Sequence, residues 1–230
     1  MTSSANLDLG RRSRLGMVEA VWGQHKRADQ IAAILYDLVA AGETALVTRV
    51  SPGKAAAVAR HLAGRDSPPL PLTHHPEARC LSAPALPPPN PRKGKVMVVT
   101  GGTSDQVVAQ EACLALRCHG ICTELVEDVG VAGLHRLLDR LAILREASVL
   151  IVCAGMEGAL PTVVAGLLPQ PVIGVPISVG YGVSSGGTAA LQGMLASCAP
   201  GLSVVNIDNG YGAAMAALRI LNGGGSGPPA

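Results

Sequence analysis

Five short aliphatic runs, at residues 96–99, 121–126, 149–153, 172–175 and 203–207, alternate along the chain with segments of helical character. Those segments fall at 105–118, 133–145, 160–168, 187–196 and 212–222. Apolar runs of this length, bounded by helices and with little polar alternation, read as strands buried on both faces. Such strands belong to parallel sheets, whose neighbours need a helical crossover. Right-handed crossovers place helices on both faces of the sheet. The expected class is therefore α/β: a three-layer αβα domain with a parallel sheet over 95–222. Phe is absent and aromatics make up 2% of the chain, so Val, Leu, Ile and Ala must form the core. At 48% hydrophobic residues they are numerous enough to do so.

Upstream, the Pro-rich stretch 82–94 interrupts any helix or central strand and reads as a linker between domains, with a long loop inside one domain as the alternative. Before it, Ile31, Ile34, Leu35, Leu38 and Val39 recur at helical spacing. Residues 44–48 read as a strand, and Pro52 opens a helix over 52–63. These elements predict a small N-terminal α/β domain over 1–81. Its first 27 residues carry a charged cluster, Arg11, Arg12, Arg14, Glu19, His25, Lys26 and Arg27, which reads as either a solvated arm or a site, the arm being the commoner case. The Gly, Pro and Ser-rich tail 223–230 is expected to be disordered.

A formal charge of +2, from 18 basic and 16 acidic residues, is too small to draw the chain onto nucleic acid or anionic lipid. The N-terminus lacks the apolar core of a signal peptide, and every apolar run is too short to span a bilayer, so a cytoplasmic protein is expected. Six cysteines in such a chain read as free thiols. Cys113, Cys118, His119 and Cys122 suggest a zinc site, but no second ligand pair completes it.

Ligands of an open α/β sheet sit at the carboxyl ends of the strands, so the loops there carry the chemistry. The first, residues 100–105 (TGGTSD), offers glycines for close backbone approach, and Ser104 or Asp105 to cap the next helix. Phosphate suits it, and a plain capped turn is the alternative. Residues 154–161 (AGMEGALP) place one carboxylate, Glu157, at the sheet edge, where it is either an acid–base group or a solvated loop residue. The Gly and Ser-rich residues 176–187 read as a flexible lid or a disordered connection. Cys198 stands in a turn, 197–201, outside any apolar run, as a candidate nucleophile or a half-buried inert thiol.

In AGMEGALPTVVAGLLPQPVIGVP and GGTSD the chain resembles the aminoimidazole ribonucleotide carboxylases and mutases of purine synthesis, the PurE type. A sister family is nearer. SPGKAAAV, GGTSDQVVAQEA, AGMEGALP, ISVGYG, LASCAPG and VVNIDNGYGAA, together with LDLGRRSRLGMVEAVWG and the pair Thr48-Arg49, are similar to the LarB family. These are pyridinium-3,5-biscarboxylic acid mononucleotide synthases of nickel-pincer cofactor biosynthesis. The resemblance covers nearly the whole chain and implies a flavodoxin-like, PurE-like fold for 95–222. Where the purine enzymes carry a catalytic His, this loop has Ala159. The purine enzymes in turn lack a thiol at the position of Cys198.

The resemblance implies nicotinic acid adenine dinucleotide and carbon dioxide or bicarbonate as substrates, with carboxylation at ring C5 and release of AMP. It gives Cys198 the covalent role and Glu157 that of base. On the matched motifs, Gly102, Thr103, Ser104, Asp105, Gly155, Met156, Ser178, Gly180 and Asp208 would hold the substrate. The C-terminal loops offer no Arg or Lys for the diphosphate, so Arg49 or Lys54 of the N-terminal part is expected to reach it, with Mg²⁺ as a further candidate. No tightly bound cofactor is expected, and the resemblance implies a homo-oligomer, an octamer, with sites near subunit contacts. Two other readings stand beside this one: an aminoimidazole ribonucleotide mutase and a non-catalytic nucleotide-binding module.

Overall fold

A computed structural model describes residues 5–64 and 69–223, and the chain divides between Pro88 and Pro89 into two compact units. In the first unit a short helix, α1 (Arg11–Leu15), precedes β1 (Ala20–Trp22). Then come α2 (Ala28–Ala40), β2 (Ala45–Thr48) and α3 (Pro52–Ala63). Two further strands follow, β3 (Thr73–His75) and β4 (Cys80–Ala83). The sheet order is β1-β2-β4-β3, with β1 and β2 parallel and β4 antiparallel to both β2 and β3. Helix α2 forms because Ile31, Ile34, Leu35 and Leu38 fall on one face and are buried against this sheet. Helix α3 starts where Ser51 accepts the Lys54 N–H at 3.3 Å and Pro52 supplies a helical φ.

Two expectations change here. The first 27 residues are not simply an arm, because Val21 is buried and residues 20–22 pair in parallel with 46–48. Charge dominates that stretch and masked a three-residue strand. The stretch expected as linker begins inside structure: Ser82 and Ala83 close β4, paired to Leu46 and Ala45. The remainder of the expected tail, 224–230, lies outside the described residues, and Gly223 ends the last helix.

The second unit runs β5 (Lys95–Thr100), α4 (Gln106–Arg117), β6 (Cys122–Val126), α5 (Leu134–Leu138), α6 (Leu141–Leu144) and β7 (Val149–Ala154). It continues with α7 (Ala159–Leu167), β8 (Val172–Pro176), α8 (Thr188–Leu195), β9 (Leu202–Val204) and α9 (Gly210–Gly223). All five strands are parallel, in the order β6-β5-β7-β8-β9. This is the flavodoxin-like order. The central strands β5, β7 and β8 are buried almost throughout.

Helices α4 and α9 pack on each other, Glu111 Oε1 accepting the Tyr211 N–H at 2.9 Å. Leu137, Leu144, Leu160, Val164 and Met194, from α5 to α8, join Met97, Val99, Leu150 and Val152 of the sheet in one core. The helix expected over 133–145 is broken into α5 and α6. At the break the Arg140 N–H closes on Leu137 O at 2.9 Å, an i→i+3 bond that tightens the chain into a turn. The last strand stops at Val204 rather than 207, because the chain then folds over the sheet edge and Asp208 N–H reaches Pro176 O at 2.9 Å. None of the described helices is long and apolar enough to cross a membrane.

Leu150 lies at the centre of the sheet and is fully buried, whereas Leu138 is 46% exposed. Leu150→Ala should destabilise the second unit by about 3 kcal/mol, and Leu138→Ala by no more than about 0.5 kcal/mol. Urea unfolding of the two variants measures the difference.

Candidate active site

In this strand order the crossovers from β5 to β6 and from β7 to β8 leave in opposite directions. The loops after β5 and β7 therefore part and open a crevice at the carboxyl edge. A cleft of about 250 Å³ lies there. Gly101, Gly102, Ser104 and Asp105 line it after β5, and Gly130, Val131, Ala132 and Arg136 line it after β6. Ala154, Gly155, Met156, Glu157, Ala159 and Leu160 contribute after β7, and Val179 after β8. The loops meet backbone to backbone. A Cβ on Gly130 would stand 2.6 Å from Gly101 O, and one on Gly155 would stand 2.5 Å from Val179 O, so neither position tolerates a side chain without moving the wall.

Asp105 is 4% exposed and its Oδ2 accepts the Gly102 N–H at 2.9 Å, which folds the loop back on itself. Burial pushes its carboxyl above the ordinary carboxylate range. The amides of Gly102 and Gly101 and the Ser104 hydroxyl pull the other way, while the nearby carboxylate of Asp208 adds to the rise. Asp208 stands after β9 with a left-handed φ of 54° and accepts the Ser178 N–H at 2.8 Å. Asp105, Ser178 and Asp208 thus come together from three separate loops. Met156 also has a left-handed φ, 52°, in the turn that ends at Gly158, whose N–H bonds to Gly155 O at 2.9 Å. Thr103 and Ser104 are exposed, and Gly180 packs on Ser184 in the loop after β8. That loop carries two short 3-10 turns within residues 182–187, separated by a kink at Ser185 and Gly186, with Tyr181 and Val183 outermost.

Glu157 is exposed on the rim of the cleft. Cys198 is exposed in the turn after α8 and does not line the cleft. Its position is nonetheless tied to the Glu157 loop. Gly193 of α8 packs so closely on Glu157 O that no side chain fits between them, and Ser197 Oγ accepts from Thr162 Oγ1 at 2.8 Å. The Cys198 turn therefore runs beside α7, the helix that the Glu157 loop leads into. Two of the other thiols are unsuited to nucleophilic work: burial pushes Cys113 up to about 12 and Cys153 well above its ordinary value.

Arg136 is the residue that sequence reasoning missed. The loops at the carboxyl ends of the strands hold no Arg or Lys, yet this side chain reaches the cleft from α5. Position within a helical run hid it. The signal was the neighbouring loop after β6, which the strand order places beside the loop after β5. Arg49 and Lys54 belong to the first unit. There Arg49 follows β2 with a left-handed φ of 57°, and the Lys54 ammonium donates to Gly23 O at 2.9 Å and Gln24 O at 2.7 Å. His119 Nδ1 lies 2.8 Å from Ala115 O, and no group of three or more His, Cys, Asp or Glu among the described residues is arranged to hold a metal ion.

Comparison with known proteins divides the chain in the same two parts. Residues 95–225 match the AIR carboxylase family, and residues 1–85 match the LarB/PurE-like N-terminal domain. An uncharacterized protein of Methanocaldococcus jannaschii is 38% identical over 209 residues, 90% of this chain and 80% of its own length. An N5-carboxyaminoimidazole ribonucleotide mutase of the same organism is 35% identical over 133 residues, 55% of this chain and 78% of its own. A protein of the same name from Pyrococcus abyssi is 33% identical over 141 residues, 56% of this chain and 74% of its own.

Two measurements test the electrostatics. Because folded Asp105 holds its proton more tightly than the ordinary value of 3.8, its neutral form favours the fold. That contribution is whole below pH 3.8 and is lost as pH rises through the folded value. Thermal melts of the protein and of Asp105→Asn, which stays neutral, should therefore show the protein losing stability relative to the variant as pH rises; the opposite slope contradicts the burial assignment. Limited alkylation of the native protein, read by peptide mass spectrometry, should label Cys198 well before Cys113 or Cys153.

Proposed function

The chain belongs to the AIR carboxylase family in its LarB form, a PurE-like domain behind a LarB N-terminal domain, and on that footing we propose that its substrate is nicotinic acid adenine dinucleotide. Carboxylation at C5 of the pyridinium ring, with hydrolysis of the phosphoanhydride, would give pyridinium-3,5-biscarboxylic acid mononucleotide and AMP. The observation that carries this reading is a cleft at the strand switch point whose lining, among the described residues, includes Glu157 but no histidine, in a chain with a LarB-type N-terminal domain. The mutase relatives favour the second reading, an aminoimidazole ribonucleotide mutase. Ala159 at the head of α7, where the resemblance to that family calls for a catalytic His, counts against it.

The chemistry accounts for a thiol. A pyridinium ring is electron-poor and does not attack carbon dioxide. Addition of the Cys198 thiolate at C4 gives a dihydropyridine in which C5 is an enamine carbon, and C5 then bonds to carbon dioxide. Glu157 takes the proton left on C5, the ring electrons return, and the C4–S bond breaks to restore the aromatic ring and free thiolate. Water adds to phosphorus and AMP leaves. In this scheme the glycine-walled loops after β5 and β7 seat the nucleotide, with Gly102, Thr103, Ser104, Asp105, Gly155 and Met156 against it and Ser178, Gly180 and Asp208 behind.

Incubation of the full chain with nicotinic acid adenine dinucleotide and bicarbonate should yield the bicarboxylated mononucleotide and AMP, both read by mass spectrometry. Cys198→Ser should abolish carboxylation, and Glu157→Gln should slow it by about a hundredfold to ten-thousandfold. Unchanged dinucleotide with turnover of N5-carboxyaminoimidazole ribonucleotide would establish the mutase reading instead. Turnover of neither leaves a nucleotide-binding module.

A further inference from the structure

Asp105 and Glu157 bring two carboxyl groups to the cleft, and a phosphorylated ligand entering it needs an opposing charge. Among the described residues that line the cleft Arg136 is the sole Lys or Arg. Its guanidinium pairs with the carboxylate of Asp128, in the loop that follows β6. Both side chains are open to solvent, at 40% and 53% exposure, so the pair is weak and exchangeable. Asp128 itself is fixed: its φ is left-handed, 56°, and its N–H donates to Thr100 Oγ1 at 3.1 Å, at the end of β5. The guanidinium also rests against Gly133, where a Cβ would stand 2.7 Å from Nε and 3.0 Å from an Nη. A planar fork is thus held at the cleft between a bare glycine and a carboxylate that a phosphate can replace with stronger, bidentate bonds.

We propose that Arg136 binds the phosphate of the nucleotide in this cleft, exchanging Asp128 for the ligand. The inference rests on reading the cleft as a nucleotide site. Gly133 and Asp128 are positioning residues: the first leaves room for the fork, and the second holds it ready and competes with the incoming anion. This supplies from within the second unit the positive charge that the loop sequences lack.

Paired calorimetric titrations test it: ribose 5-phosphate against ribose, and nicotinic acid mononucleotide against its riboside. Arg136→Gln should weaken the phosphorylated member of each pair about tenfold to a hundredfold and leave the other unchanged, with Arg136→Lys in between. Gly133→Ala should act in the same direction, several-fold. Asp128→Asn should tighten phosphate binding several-fold, a sign opposite to that of a merely structural loss. Equal weakening of both members by Arg136→Gln, or no change in either, overturns the assignment. So does loss of the phosphate preference in Arg49→Ala while Arg136→Gln keeps it. If ribose 5-phosphate shows the Arg136 dependence but nicotinic acid mononucleotide binds no better than it does, the phosphate assignment stands and the nicotinate reading falls.

Discussion

β5 pairs with β6 through residues 95–99 and with β7 through residues 96–100, and every other part of the second unit is arranged around that double ladder. Because the chain leaves β5 in one direction and returns past it in the other, the loops at its carboxyl end have no helix crossing between them. Backbone contacts fix the walls of the gap between them. Gly130 lies on Gly101, and Gly155 on Val179, at separations that a single methyl group would violate. The cleft walls are therefore set by main-chain contact, which holds position better than mobile side chains do.

That rigid frame decides the electrostatics. Asp105 is turned inward because its carboxylate is bound to the amide of Gly102, and burial then raises its affinity for a proton. Asp208 is turned toward it by the amide of Ser178, so a strand at the far edge of the sheet bears on a loop after its centre. Glu157 remains exposed at the rim. Two carboxyl groups of different environment in one cleft suit different tasks, one held by amides and one free to meet a ligand. Arg136, opposite them in charge, rests against the bare Gly133 that caps α5.

The first unit follows the same rules with fewer strands. Its α2 and α3 were legible from apolar spacing and from the Ser51-Pro52 start, since a helix of 12 or 13 residues carries a long periodic signal. Its strands β1, β3 and β4 were not, being three or four residues long and framed by charge or proline. A strand that short is held by its neighbours rather than by its own preference.

The sequence by itself determined the class of the second unit, since five aliphatic runs between helical segments leave little besides a parallel sheet with both faces covered. It also determined which residue types stand at the loop ends: Gly102 to Asp105, Gly155 to Glu157, and Asp208. Tertiary structure alone decided which of these share a cleft. Strand order, absent from any local pattern, set the loop after β6 beside that after β5 and so brought Arg136 to the cleft, while Cys198 came to lie beside α7 and outside the lining. Local sequence sets hydrogen-bond periodicity and burial, but proximity between distant loops follows from how whole strands are ordered, which only the packed sheet fixes.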